Sequence, residues 1–267
     1  MSASTHSPVL KHHFDNLEQQ HSAERLGMWM FLATEVMFFS GVFVAYAVYR
    51  YFFPGEFQFA SSQLVLWVAA LNTAFLITSS LTMTLAIRSA QLGDRPALLR
   101  NLLLTALLGT AFMGFKAYEY ATDIGEKFVP GAMFRQELAE AEGPLAGMSH
   151  EQAARYEFPD HHHPAPWAQA LAKTNAGKQP GDAGYLSPGR VELFLCFYYT
   201  MTGIHGVHIV VGIGCILWLV QQAVAGKIPR ENYSTVEVVS LYWHLVDMIW
   251  LFLMPLLYLA GAGLARH

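Results

Sequence analysis

Apolar residues run in five long blocks, Leu26 to Tyr49, Ser62 to Ile87, Asn101 to Ala121, Glu192 to Gln222 and Val236 to Ala262, with polar and charged residues gathered between them. At about 1.5 Å of rise per helical residue, each block is long enough to cross the roughly 30 Å of hydrocarbon in a bilayer. A segment in lipid must satisfy its own backbone, so the pattern predicts an all-α, polytopic membrane helix bundle of five transmembrane helices. Residues 1–24 then form a cytoplasmic N-terminal segment and 25–121 carry the first three spans. Residues 122–190 make a long external loop, and 191–267 carry the last two spans and a short C-terminus. Pro54 with Gly55, and Gly93, Asp94 and Pro96, are turn formers suited to tight interhelical connections.

Composition agrees with this division. The 267 residues are 54% hydrophobic and 13% charged, whereas a soluble surface usually needs about 25% charge. The first 24 residues include Lys11, Asp15, Glu18, Glu24 and several His, so the first span is expected to serve as an uncleaved anchor. A net charge of -4 without a basic cluster argues against nucleic acid as a partner. Cys196 and Cys215 share one predicted helix about 28 Å apart and cannot pair with each other.

Lys11, Arg25, Arg88, Arg95, Arg100, Lys227 and Arg230 fall on one side of the predicted spans, against Arg50 and Arg266 in the short segments opposite. The positive-inside rule places the N-terminus in the cytoplasm and the C-terminus outside. Residues Thr122 to Gly189 then lie outside. They include Glu126, Glu137, Glu140, Glu142, Glu151 and Glu157, the run His161 to His163, and several Pro and Gly. Met133 to Ala154 reads as a surface helix and the remainder as irregular. The three adjacent His read as solvated, since nothing nearby fixes a metal geometry.

Ionisable groups within the spans are the candidates for function, because each costs at least about 2.5 kcal/mol near the bilayer centre. Glu35 lies about 15 Å in from Arg25, and Asp247 lies at a similar depth. His205 and His208 share one helical face, as do His244 and Asp247. Together they form either a hydrogen-bonded packing network, with Asp247 pairing His244 or a neighbouring chain, or a proton or metal site on facing helices. No Glu-x-x-His pair lies within a predicted span. Glu119, Lys116 and Glu192 lie near span ends, where snorkelling to the interface is expected. Asn72, Thr73, Ser79, Ser80, Thr82 and Thr84 give the second span a small, polar face, and Gly203, Gly206, Gly212 and Gly214 do the same for the fourth.

Four runs carry a family resemblance. Arg25 to Phe39 (Arg-Leu-Gly-Met-Trp-Met-Phe-Leu-Ala-Thr-Glu-Val-Met-Phe-Phe) resembles the Glu-containing helix of subunit III of the haem-copper respiratory oxidases. Leu108, Gly109, Phe112, Glu119 and Tyr120 resemble its next helix but one. Thr202 to His208 (Thr-Gly-Ile-His-Gly-Val-His) is similar to a Thr-Gly-Phe-His-Gly-x-His motif. Tyr242 to Phe252, containing Trp243, His244 and Asp247, is similar to Tyr-Trp-His-Phe-Val-Asp-x-x-Trp-Leu-Phe. The resemblance covers Arg25 to Gly261 apart from the long loop. Seven-helix members have two further N-terminal helices forming one arm of a lipid-holding cleft, and this chain begins at the equivalent of their third helix.

The resemblance implies a non-catalytic subunit of a proton-pumping terminal oxidase in aerobic respiratory electron transport. It implies direct contact with subunit I, assembly with subunit II and other subunits, and support of proton uptake. Haem and copper are expected in the partners, with no catalytic, cofactor or metal site in this chain and bound phospholipid as its accompaniment. Glu35, His205, His208, Trp243, His244 and Asp247 are carried over as buried polar, lipid or subunit contacts, with Glu119 and Glu192 interfacial. Two further partners fit the same pattern: a quinol oxidase, and nitric oxide reductase with a five-helix accessory protein. A free-standing metal-dependent membrane enzyme is the third class.

Overall fold

A computed structural model describes Phe14 and residues 16–159, 163–228 and 233–261. The described residues form helices and no strand. The helices are α1 (Leu17–Phe52), α2 (Pro54–Ser62), α3 (Leu66–Leu92), α4 (Arg95–Gly125), α5 (Ala132–Glu142), α6 (His150–Arg155), α7 (Pro166–Asn175), α8 (Pro188–Val224) and α9 (Ser234–Tyr258). Among these, α1, α3, α4, α8 and α9 are long and apolar enough to cross a membrane. Each coincides with one predicted span, and most continue past the predicted ends, because bilayer thickness limits the apolar stretch but not the backbone ladder. His161, His162, Arg230 and Ala262 lie outside the described residues.

Two connections differ from expectation. Pro54 and Gly55 open α2 instead of forming a bare turn: Pro54 occupies the first helical turn, where its missing N–H leaves no bond unmade, and Phe57, Phe59 and Ala60 are buried. The expected surface helix from Met133 to Ala154 is two helices, separated by Pro144 in a 3-10 turn and by Gly147 at φ 81°. The stretch expected to be irregular contains α7, again opened by a proline, Pro166.

The chain divides into two compact units. The first takes in the residues up to Gly41, Leu71–Met113 and Ile204–Phe252. Its core centres on Trp243 and Trp250, both fully buried, among Leu76, Met83, Leu102 and Phe112. Small and hydroxylic side chains let these rings in: Trp243 Nε1 donates to Ser79 Oγ at 3.0 Å, and Trp250 Nε1 to Thr73 Oγ1 at 3.0 Å. A Cβ at Gly109 would lie 2.6 Å from the Trp243 ring, and one at Gly212 would lie 2.8 Å from it. Of the fourth-span glycines, Gly212 alone makes such a close approach; a Cβ at Gly206 would lie an ordinary 3.7 Å from Met113 Cε, and Gly203 and Gly214 have open space beside them.

The second unit takes in Val42–Ala70, Gly114–Gly203 and the residues from Leu253. It holds α2, the extramembrane helices α5 to α7, and the adjoining ends of the long helices. The Phe134 and Trp167 rings stack at 4.6 Å between α5 and α7, over Leu138, Ala141 and Leu171. The α6 start is fixed by a capping box of Ser149 and Gln152. This cap is tied to the spans at its base: Trp167 Nε1 donates to the Glu126 carbonyl at 2.9 Å, and Gly131 N donates to Glu192 Oε1 at 2.6 Å. At the end of α9, carbonyls without an intrahelical donor are taken up by side chains. Tyr46 OH donates to the Leu256 carbonyl at 2.5 Å, and Ser61 Oγ to that of Leu257 at 2.6 Å.

Candidate functional site

Within the first unit the sequence candidates separate into three places. Glu35 on α1 meets His208 on α8, Nε2 to Oε2 at 3.0 Å, while His208 Nδ1 lies 2.8 Å from the Ile204 carbonyl. A carbonyl only accepts, so Nδ1 carries a hydrogen, and the Nε2 to carboxyl contact requires a second proton between the two groups. Imidazolium with carboxylate and imidazole with carboxylic acid both satisfy this. Both forms are neutral as a pair, which suits a site inside a span. Phe39 packs edge-on to the His208 ring at 5.2 Å.

His244 faces α3 instead. Its Nδ1 lies 2.8 Å from Ser80 Oγ and its Nε2 lies 3.4 Å from Thr84 Oγ1. Thr84 Oγ1 donates its own proton to the Ser80 carbonyl at 3.0 Å. Counting donors therefore assigns His244 the Nε2–H tautomer, with Ser80 donating to Nδ1. Asp247, one turn further along α9, does not pair with His244: its buried carboxyl lies beside the Ser79 and Ser80 hydroxyls, which are themselves engaged with the Leu76 carbonyl and His244 Nδ1. The expected Asp247–His244 pair fails because the serines and threonines of α3 already engage the imidazole. Asn72 is likewise fully buried with neither amide atom bonded.

His205 forms the third place. It is buried, stacked on Trp250 at 5.4 Å, with the edge of Phe112 at 5.8 Å. One convergent cluster of Glu35, the three histidines and Asp247 is therefore not formed. Among the described residues, no group of three His, Cys, Asp or Glu side chains comes together at metal-binding spacing. Between α1 and α9 an apolar groove of about 530 Å³ is lined by Trp29, Val36, Met37, Leu245 and Met248, with His244 at its wall.

In the second unit, burial replaces the expected snorkelling. Lys116 and Glu119 are 6% and 5% exposed. Lys116 Nζ donates to Glu119 Oε2 at 2.9 Å, to Tyr198 OH at 3.2 Å and to Tyr258 OH at 2.9 Å. Both phenols in turn donate to Glu119 Oε1, at 2.8 and 2.6 Å. All three ammonium hydrogens thus have acceptors, and the carboxylate accepts on both oxygens. Sequence reasoning missed the site because α8 and α9 supply the phenols 79 and 139 positions away. Beside it, Tyr199 OH donates to Asp123 at 3.2 Å, and Tyr120 and Thr202 share a bond of 2.5 Å. Glu192 is held by Gly131 N, with Arg135 at 3.8 Å, and so anchors the cap.

These features define a polytopic helical membrane protein that ties its spans together through buried polar groups and leaves one helix, α1, largely bare. Only 17% of the most apolar window of α1 is buried, against 44% for the last span. The chain belongs to the cytochrome c oxidase subunit III family, whose model matches residues 9–126 and 191–262. Similar proteins include the cytochrome bo(3) ubiquinol oxidase subunit 3 of Pseudomonas aeruginosa, 24% identical over 94% of this chain and 91% of the relative. The cytochrome c oxidase subunit 3 of Alkalihalophilus pseudofirmus is 24% identical over 89% and 87%, and that of Synechocystis is 26% identical over 87% and 74%. The chain is thus subunit III of a haem-copper oxidase. The cap lies between the two matched segments.

Proposed function

We propose that the chain packs against subunit I of a bacterial cytochrome c oxidase, contributes no redox group, and sustains proton delivery to the oxygen-reducing site. The observation that carries this reading is the bare face of α1. Trp29, Met30, Val36, Met37 and Val44 are all exposed along it, a surface that lipid or a partner must cover. The paired Glu35 and His208 add a proton-holding site behind that face. The N-terminus lies in the cytoplasm, as the grouping of Arg88, Arg95, Arg100 and Lys227 at the ends of α3, α4 and α8 supports. Cytochrome c is the electron donor, as in the names of the Alkalihalophilus and Synechocystis relatives. The Pseudomonas relative's name makes a quinol donor the second reading, and a donor assay on the purified complex separates them.

The test compares complexes with and without this chain. No electron carrier is removed, so initial oxygen consumption should survive its deletion. Slower proton delivery leaves reactive oxygen intermediates at the metal site for longer. The stripped core should therefore lose activity during turnover, and faster at high pH. Equal lifetimes across the pH series, or a core inactive from the first turnover, would overturn the proposal.

A further inference from the structure

On α9, Glu237, Ser240, His244 and Asp247 recur three or four positions apart and share one face, as do Ser80, Thr84 and Arg88 on α3. The two faces meet. His244 Nδ1 lies 2.8 Å from Ser80 Oγ and its Nε2 lies 3.4 Å from Thr84 Oγ1, while Ser80 also lies beside the Asp247 carboxyl. Ser80 therefore stands between an acid and an imidazole that do not bond directly. The polar seam starts at Arg88, which is exposed, and at Glu237 in the first turn of α9. It passes Ser240, 1% exposed, and ends on Asp247, 5% exposed and about 15 Å along the helix from Glu237.

Counting hydrogens fixes the state of the acid. Ser80 gives its one hydroxyl hydrogen to His244 Nδ1; Ser79 gives its own to the Leu76 carbonyl and accepts from Trp243 Nε1. A carboxylate at position 247 would face two hydroxyl oxygens with no hydrogen left to offer. A carboxylic acid supplies the missing donor, and its neutrality suits a site inside a span.

We propose that Asp247, Ser80 and His244 form a proton relay linking the buried acid to the Arg88 end of the bundle along the α3–α9 seam. The Asp247 O–H passes its hydrogen to Ser80 Oγ as Ser80 passes its own to His244 Nδ1. One O–H breaks on the acid, one is exchanged at the serine, an N–H forms on the ring, and no electron moves. The product is a carboxylate with an imidazolium, whose Nε2 hydrogen then leaves past Thr84 towards the helix ends. The reverse sequence reloads the acid. Acid and imidazole groups in series at membrane depth are suited to this traffic, and histidine takes up and releases protons near neutral pH. The relay rests on the proton-delivery reading for its use, and it places an exchangeable proton at a site separate from the Glu35–His208 pair.

The test follows hydrogen–deuterium exchange at the Asp247 carboxyl by infrared difference spectroscopy of the detergent-solubilised complex moved into heavy water, without turnover. The unaltered protein should show a carboxylic acid C=O stretch that Asp247→Asn removes, and that stretch should shift as deuterium replaces the proton. Ser80→Ala and His244→Phe should each slow the shift about a hundredfold, the low end of what a positioned proton-transfer group contributes to a rate. Ser80→Thr keeps the hydroxyl and should keep the rate. A purely structural acid exchanges only when the bundle opens locally, and a variant that loosens the bundle speeds that opening, so the sign of the change separates the two roles. An absent C=O stretch in the unaltered protein, or exchange as fast or faster in both Ser80→Ala and His244→Phe, overturns the relay. Equal oxidase lifetimes with and without this chain would instead overturn the proton-delivery reading and leave the exchange result standing.

Discussion

Lys116 and Glu119 show how much a buried charge depends on its partners. Removing one member of a buried pair leaves the other uncompensated, at about 3–5 kcal/mol, whereas replacing both is often close to neutral. Lys116→Met should therefore destabilise the protein by about that amount, and Lys116→Met with Glu119→Gln should recover most of the loss. Thermal unfolding of the purified complex measures both, and a double variant no better than the single would contradict the donor and acceptor count given above. Asp247 is the opposite case. Its neighbours Ser79 and Ser80 are hydroxyls already bonded elsewhere, so no charged partner is stranded and Asp247→Leu should be neutral or stabilising in the same assay; a loss above about 3 kcal/mol would show that the carboxylate has a charged partner in the assembled complex. Single residues were only partly legible in the sequence. Depth in the span marked Glu35, His205, His208, His244 and Asp247 as buried. Their partners come from other helices at long separation, so spacing along one helix could not show that Glu35 meets His208 or that His244 turns to Ser80.

At the scale of elements, the spans were legible because lipid demands long, charge-free, self-bonded segments, and that demand is written directly in composition. The packing between them was not. Gly109 and Gly212 admit Trp243, yet Gly203 and Gly214 look identical in sequence and face open space. A methyl group at Gly109 or Gly212 forces the indole aside, and overpacking of this kind costs about 1–3 kcal/mol. Gly109→Ala and Gly212→Ala should lower the unfolding temperature, while Gly214→Ala should leave it unchanged or raise it slightly through helix propensity. The cap was the least legible element, because short amphipathic helices need tertiary contacts to form. There the bond from Lys127 to Glu137 raises the Lys127 pKa above its ordinary value. The stabilisation is complete below the ordinary lysine range and is lost as pH rises through the raised value. Lys127→Met should accordingly flatten the alkaline end of the cap's protease-resistance curve.

At the scale of the whole molecule, orientation follows from charge placed where loops are short. In a background of Cys196→Ser and Cys215→Ser, a cysteine at Gln91 should resist an impermeant thiol reagent in intact cells, and one at Gly143 should react. The reverse pattern would invert the topology. The Gly131 N to Glu192 Oε1 bond, 2.6 Å long, joins residues just after α4 and near the start of α8, so the excursion from one helix to the other leaves and returns at a single point. A segment with adjoining ends acts as a pendant module: loop closure already costs little there, and a short linker can span the gap. Replacing residues 133–186 with a few Gly and Ser should therefore leave the bundle able to assemble. It also makes the cap a position in this fold where a lineage can add, exchange or discard an entire small helical body without altering a span.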